Sequence, residues 1–219
     1  MTTTTERSDT WEMVLVHRVF RREFRMLPAL IRAAESRERA EILGEHLHHL
    51  TGALHHHHTH EDEWLWPRLL SRVGLDEDLV HRMEAQHAHL AVLLDRIDTL
   101  GPRWRATADP ALRDDLADAV AGVSAGLDEH LAEEENSILP LVSEHVTQAE
   151  WDDFNAQAQK KLPKNALALF FVGAILEEAD ARETARFLGD LPAPIRLIWR
   201  IFGPRYYAKA RDRVRLATG

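Results

Sequence analysis

The sequence predicts an all-α fold: an up-down-up-down four-helix bundle over residues 9–147, followed by additional C-terminal helices over residues 148–219. Three observations carry this. Apolar residues recur at alternating spacings of three and four in four successive segments, the signature of one helix face turned to a core. Glycine (10) and proline (9) are scarce in 219 residues, as a mostly helical chain requires. Hydrophobic residues make up 45% of the chain, enough for a real core.

The first helix is capped by Asp9 or Thr10 and runs to about Glu35. Its stripe is Met13, His17, Phe20, Phe24, Leu27 and Ile31, with His17 the only polar member. The second runs from Arg37 to about Ser71, with the stripe Leu43, Leu47, Leu50, Leu54, His57, Glu61 and Trp64. Pro67 removes a backbone hydrogen bond and is expected to bend or loosen its last turns. The third follows the turn Val73-Gly74-Leu75-Asp76 and is expected to end at Gly101-Pro102; its stripe is Val80, Met83, His87, Leu90, Leu94 and Ile97. The fourth starts at Asp109-Pro110, an N-cap with proline in the first turn, and runs to about His145. Its stripe is Leu116, Val120, Val123, Leu127, His130, Glu134 and Ile138. A short helix is expected over 148–161 and a longer one over 164–188, then a break at Leu191-Pro-Ala-Pro194 and a basic amphipathic segment over 195–216.

Polar residues interrupt every stripe. Residues 55–63 hold five histidines and three acids, and heptad phase selects only His57 and Glu61 as inward-facing. His55, His56, His58 and His60 then read as a solvated or supporting face. His58-x-x-x-Asp62 is a rival pair, ranked below because it leaves the apolar seam. A buried His–Glu hydrogen bond would satisfy either paired motif alone. In an antiparallel bundle, however, His17, His57, His87 and His130 all fall at one end. Four histidines and two carboxylates in one layer are what a metal site requires.

The chain has no cysteine, which excludes disulfides, thiolate ligands and cysteine nucleophiles. A metal here must take His, Asp and Glu, which suits iron, manganese or zinc. The simplest arrangement holds two ions bridged by Glu61 and Glu134, with His17, His57, His87 and His130 as terminal ligands. Asp62, Glu63, Glu133 and Glu135 are available as acceptors for ligand N–H groups. A ferritin-like carboxylate site needs Glu-x-x-His on two helices. Glu84-x-x-His87 has that spacing, but Leu127 stands three residues before His130, and the first helix offers His17 rather than Glu.

The net charge of −9 argues against general nucleic-acid binding. The first residues lack a basic start with an apolar run, and Ala166–Leu176 is too short to span a bilayer, so a cytoplasmic protein is expected. Residues 192–219 carry seven basic residues and one acid, about +6, leaving about −15 on the rest. This segment is expected to pack on the acidic bundle, to pair subunits in a homodimer, or to meet an anionic membrane surface or protein partner.

The ordered set His17, His57-x-x-x-Glu61, His87 and His130-x-x-x-Glu134, with Pro67 and Pro140 following the paired motifs, resembles the hemerythrin-like (HHE cation-binding) domain family over about residues 9–147. The resemblance implies a four-helix bundle holding two non-haem iron ions with an oxide or hydroxide bridge. Oxygen-carrying members place a fifth histidine four residues before the third-helix ligand; here that position is Met83. Their fourth helix has a His-x-x-x-x-Asp spacing; here Glu134 stands one residue closer, with Glu135 at the longer spacing. In these respects the chain is more similar to the bacterial branch, which implies binding or sensing of oxygen, nitric oxide or peroxide. Two further functions stay open: a di-iron peroxidase or catalase-like enzyme in oxidative-stress defence, and an interaction module working through the basic C-terminal helix. Glu135 or His58 is available to complete the ligand set.

Overall fold

The computed structural model describes residues 7–161 and 166–216. Among these, ten α-helices follow in order: α1 (Trp11–Arg32), α2 (Arg37–His60), α3 (Trp66–Leu70), α4 (Glu77–Thr107), α5 (Pro110–Glu133), α6 (Leu139–His145), α7 (Gln148–Lys161), α8 (Ala166–Glu178), α9 (Ala181–Asp190) and α10 (Ala193–Arg215). One isolated antiparallel bridge joins Arg7 and Thr147. Helices α1, α2, α4 and α5 each pack on their neighbours in chain order, and α5 closes back on α1. This is the all-α bundle that the stripes predict.

The bundle interior is two apolar clusters with a polar layer between them. One contains Phe20, Phe24, Leu54, Leu90 and Leu127. The other contains Met13, Trp64, Met83 and Ile138. On each long helix the polar residues of the stripe fall between a member of one cluster and a member of the other. His17 lies between Met13 and Phe20, for example, and His87 between Met83 and Leu90. The common level expected for the four histidines is therefore real. Helix α7 closes the end beside the second cluster, inserting Trp151 and Phe154.

Two π-helical turns, Glu61–Leu65 and Glu134–Ile138, interrupt the second and fourth stripes just past the paired motifs. At each turn an N–H reaches back five residues, from Trp66 to Glu61 and from Leu139 to Glu134. Pro67 and Pro140 explain the position. Each lacks an N–H and its ring collides with the preceding turn, so a widened turn relieves the clash. The bend or loosening expected from Pro67 just after the histidine cluster thus takes the form of a π turn.

Four boundaries differ from the sequence reading. Helix α4 does not stop at Gly101-Pro102 but continues to Thr107, ending at Ala108 in the left-handed region (φ 53°). Burial of Trp104 against the first cluster offsets the bond lost at Pro102. The long helix expected over 164–188 is two helices, α8 and α9, and residues 164 and 165 lie outside the described residues. Asp180 divides them through a reciprocal capping box with Glu183. The break expected at 191–194 is confined to Leu191 and Pro192, since α10 begins at Ala193 and places Pro194 in its first turn, where a missing N–H costs nothing. Finally, neither Asp9 nor Thr10 caps α1 with its side chain. Thr10 occupies the N-cap without a bond, and Asp9 instead pairs with Arg186 at 2.7 Å.

The C-terminal helices pack on the outer side of α1 through Val19, Phe170, Ala174, Trp199 and Tyr207. Arg39, in the first turn of α2, donates to the carbonyls of Arg213 (2.7 Å) and Val214 at the end of α10. Arg215 pairs with Glu177 at 2.6 Å and with buried Glu23 at 3.2 Å. This part of the basic segment does pack on the acidic bundle, as expected.

Candidate metal centre

The polar layer gathers seven side chains from four helices and the first residues of the two π turns. They form two groups, each with potential ligand atoms within 4.8 Å of one another: His17, His57, Glu61 and Glu134, and His58, Glu61, His87 and His130. Glu61 belongs to both. Its Oε1 lies 3.3 Å from His57 Nε2 and its Oε2 lies 3.5 Å from His87 Nε2. Helical spacing explains this, since Glu61 is four residues from His57 and three from His58 and faces the gap between them. Glu134 has a parallel position: its Oε2 is 3.3 Å from His17 Nε2 and 3.7 Å from His130 Nε2.

All six sequence-predicted ligands are brought together, and the structure adds His58. Of the two places expected for His58, a solvated face and a supporting one beside the site, the solvated one does not hold. His58 is only 5% exposed and stacks on His87 with ring centroids 4.1 Å apart. Heptad phase passes over it because phase selects one inward residue per turn, whereas His57 and His58, four and three residues before Glu61, both reach that carboxylate. His60 is also buried, but for another reason: its Nε2–H donates to the Phe154 carbonyl at 3.0 Å and its ring stacks on Phe154. His55 is exposed, as expected. Asp62 turns to His87, so the rival pair of His58 with Asp62 does not form.

The acceptors behind the histidines fix which nitrogen each presents. His17 Nδ1–H donates to Glu135 at 2.9 Å, and Arg21 holds Glu135 at 2.6 Å. His87 Nδ1–H donates to Asp62 at 2.6 Å, and Asp62 also accepts from Trp66 Nε1–H at 2.9 Å. His130 Nδ1–H donates to Gln86 Oε1 at 2.9 Å, while the Gln86 amide donates to Glu133 at 2.8 Å. In all three, Nε2 is left facing the centre. Asp62 and Glu135 thus act as the expected acceptors, Glu133 does so through Gln86, and Glu63 is exposed.

The electrostatics of the bare side chains are unfavourable. Burial pushes the Glu61 carboxyl well above the usual range, and Glu134 and Asp62 push it the same way. Burial also raises Glu134, against the opposing influence of His17 and His87. His57 and His58 are held well below the usual imidazole value by burial and by neighbouring histidines. His130 is pushed down to about 2, by burial first and then by His87, His17 and Arg21.

These residues fit a metal. The Nε2 atoms of His17, His57 and His58 and all four carboxylate oxygens of Glu61 and Glu134 are buried with no hydrogen-bond partner. Orphaned buried polar atoms each cost about 1–3 kcal/mol. Seven of them pointing at one another is the arrangement a cation stabilises. Imidazole and carboxylate without sulfur suits iron, manganese or zinc.

Comparison with curated proteins and with solved structures finds no match. Comparison with family models finds one, described as the hemerythrin HHE cation binding domain, over residues 9–142. That range covers α1 to α5 and both π turns, and with them every residue of the two groups. The chain belongs to the hemerythrin HHE cation-binding domain family.

Proposed function

We propose that this protein holds two iron ions, one in each histidine–glutamate group, and uses them to bind or sense a small ligand such as oxygen, nitric oxide or peroxide. The observation that carries the reading is the shared carboxylate. Two quartets joined by Glu61 make one two-ion centre rather than two separate sites. When bound, a pair of iron ions supplies a redox-active Lewis-acid centre to which a small ligand attaches. The ligand set is uneven. One group offers three histidines and Glu61, and the other two histidines with both glutamates. Octahedral ions take more donors than each group provides, which leaves room for an exogenous ligand.

The chain's own residues do the rest. Asp62, Gln86 and Glu135 hold three imidazoles in the tautomer that presents Nε2. The clusters on either side of the layer exclude bulk water and deepen every electrostatic interaction inside it. The fifth histidine, which the family resemblance seeks at the position of Met83, comes instead from α2 as His58. Met83 itself is a fully buried member of the second cluster.

The test is spectroscopic. Iron-loaded protein is exposed in turn to azide, oxygen, nitric oxide and peroxide. A change in the visible absorption with at least one of them is expected, and its loss in His57→Ala ties it to the centre. No change with any of the four rejects small-ligand binding. Oxygen evolution from peroxide that persists unchanged in His57→Ala would place any peroxide activity outside the centre.

A further inference from the structure

Helix α10 is buried on one side only. Trp199, Gly203, Tyr207 and Val214 face inward. Helical geometry places Leu197, Ile198, Ile201 and Phe202 on the opposite side. These residues are 58%, 47%, 53% and 62% exposed, and Ile195 and Tyr206 extend the patch at 41% and 37%. This is most of the exposed large apolar surface among the described residues. Isolated exposed apolar residues need no explanation, but a contiguous set on one helix face does.

The charge pattern says what the face fits. From residue 193 to 210 the chain carries Arg196, Arg200, Arg205 and Lys209 and no acid, while Arg211 pairs with Asp212 at 2.8 Å. Arg205 and Lys209 continue the outward face after Phe202, one and two turns on. Arg196 and Arg200 line a groove at its flank with Leu188, Leu197, Trp199 and Pro204. The apolar surface is therefore bordered by cations whose long side chains reach past it. A second copy of the same face is a poor match. Parallel pairing sets Arg205 against Arg205, antiparallel pairing sets it against Leu197, and neither supplies an acid. Anionic headgroups over an acyl boundary answer both features. No helix among the described residues is long and apolar enough to cross a membrane, so the contact lies in the plane of the interface.

We infer that the outward face of α10 docks the protein on an anionic lipid bilayer, with Leu197, Ile198, Ile201 and Phe202 entering the headgroup–acyl boundary and Arg205 and Lys209 meeting lipid phosphates. The docking is independent of the ion centre, which lies inside the bundle on other helices.

The experiment is co-sedimentation of the full-length, metal-loaded chain with phosphatidylserine–phosphatidylcholine vesicles and with phosphatidylcholine vesicles alone. Binding to the anionic vesicles, weakened by salt, is expected. Arg205→Ala with Lys209→Ala is expected to weaken it roughly thirty-fold, since each surface cation contributes about 1 kcal/mol. Ile198→Glu with Phe202→Glu is expected to weaken it by at least about ten-fold. Both pairs are exposed, so metal content and helical circular dichroism should match the parent. No binding to anionic vesicles, or binding unchanged in both double variants, overturns the inference. So does a lipid-free dimer that Ile198→Glu with Phe202→Glu dissociates, which would make the face a subunit interface.

Discussion

The Nε2 atoms of His87 and His130 face each other at 3.2 Å. Both rings have their Nδ1–H committed, to Asp62 and to Gln86. The Gln86 amide is itself anchored on Glu133, which fixes its oxygen toward His130. Rings so tautomerised, each with its proton on Nδ1, present lone pair to lone pair, and a further proton is disfavoured on His130 by its burial. A cation held by His87, His130 and Glu61 would remove the conflict. The supporting hydrogen bonds thus argue for a metal independently of the count of histidines.

Asp62 should therefore matter without touching an ion. Asp62→Ala frees the His87 ring and the Trp66 indole N–H together. Metal affinity is expected to fall about 10- to 100-fold, read by competition with a chelator. Unchanged affinity would mean that the Asp62 bond does not orient His87.

His58 and His55 stand three residues apart on α2 and should differ sharply. His58→Ala removes a donor from the group containing His87 and His130, and metal content per chain is expected to drop. His55→Ala changes an exposed ring, and metal content should match the parent. Equal loss in both variants would contradict the placement of His58.

Acid sensitivity should reside partly at Glu23. Burial pushes its carboxyl up, but the hydrogen bond from His46 and the charges of His46, Arg22 and Arg215 outweigh this and bring it down to about 2. A carboxyl depressed in the folded state contributes stability that is present above its unfolded value near 4.5 and is lost as pH falls toward 2. Glu23→Gln should lower the urea midpoint at pH 6, by an amount equivalent to about 3 kcal/mol. At pH 3 the gap from the parent should narrow. A constant gap at both pH values would mean that Glu23 ionisation plays no part.

Close approach of α8 to α10 rests on Gly173. A Cβ there would lie 2.2 Å from the Tyr207 ring, so Gly173→Ala must push the two helices apart. A loss of about 1–3 kcal/mol is expected, with the Tyr207–Glu177 hydrogen bond of 2.6 Å weakened. Thermal melts decide it, and an unaltered melting temperature would show that the C-terminal helices pack independently of this contact.

Much of this architecture was legible in the residues. A stripe of spacing three and four fixes which face of α1, α2, α4 and α5 is buried, and a histidine breaking each stripe marks the layer. The failures have physical reasons. Phase alone admits one residue per turn, so it selected His57 and passed over His58 beside it. Proline read as a stop at Pro102, where burial of Trp104 outweighs the lost hydrogen bond. The same rule read Pro67 as a bend or loosening without specifying its form, a π turn. Asp180 and Glu183 spelled a capping box inside a charged run, where acids otherwise read as solvated surface. The partners of His17, His87 and His130 depend on contacts between helices, which no single stripe encodes.

A two-ion centre is tested most directly by metal analysis of protein purified from iron-replete cells, alongside Glu61→Ala. Two iron ions per chain are predicted for the parent, one for each group, with both occupancies reduced in Glu61→Ala because that carboxylate is common to them. A single ion per chain, or occupancy of one group untouched by Glu61→Ala, would contradict the shared centre.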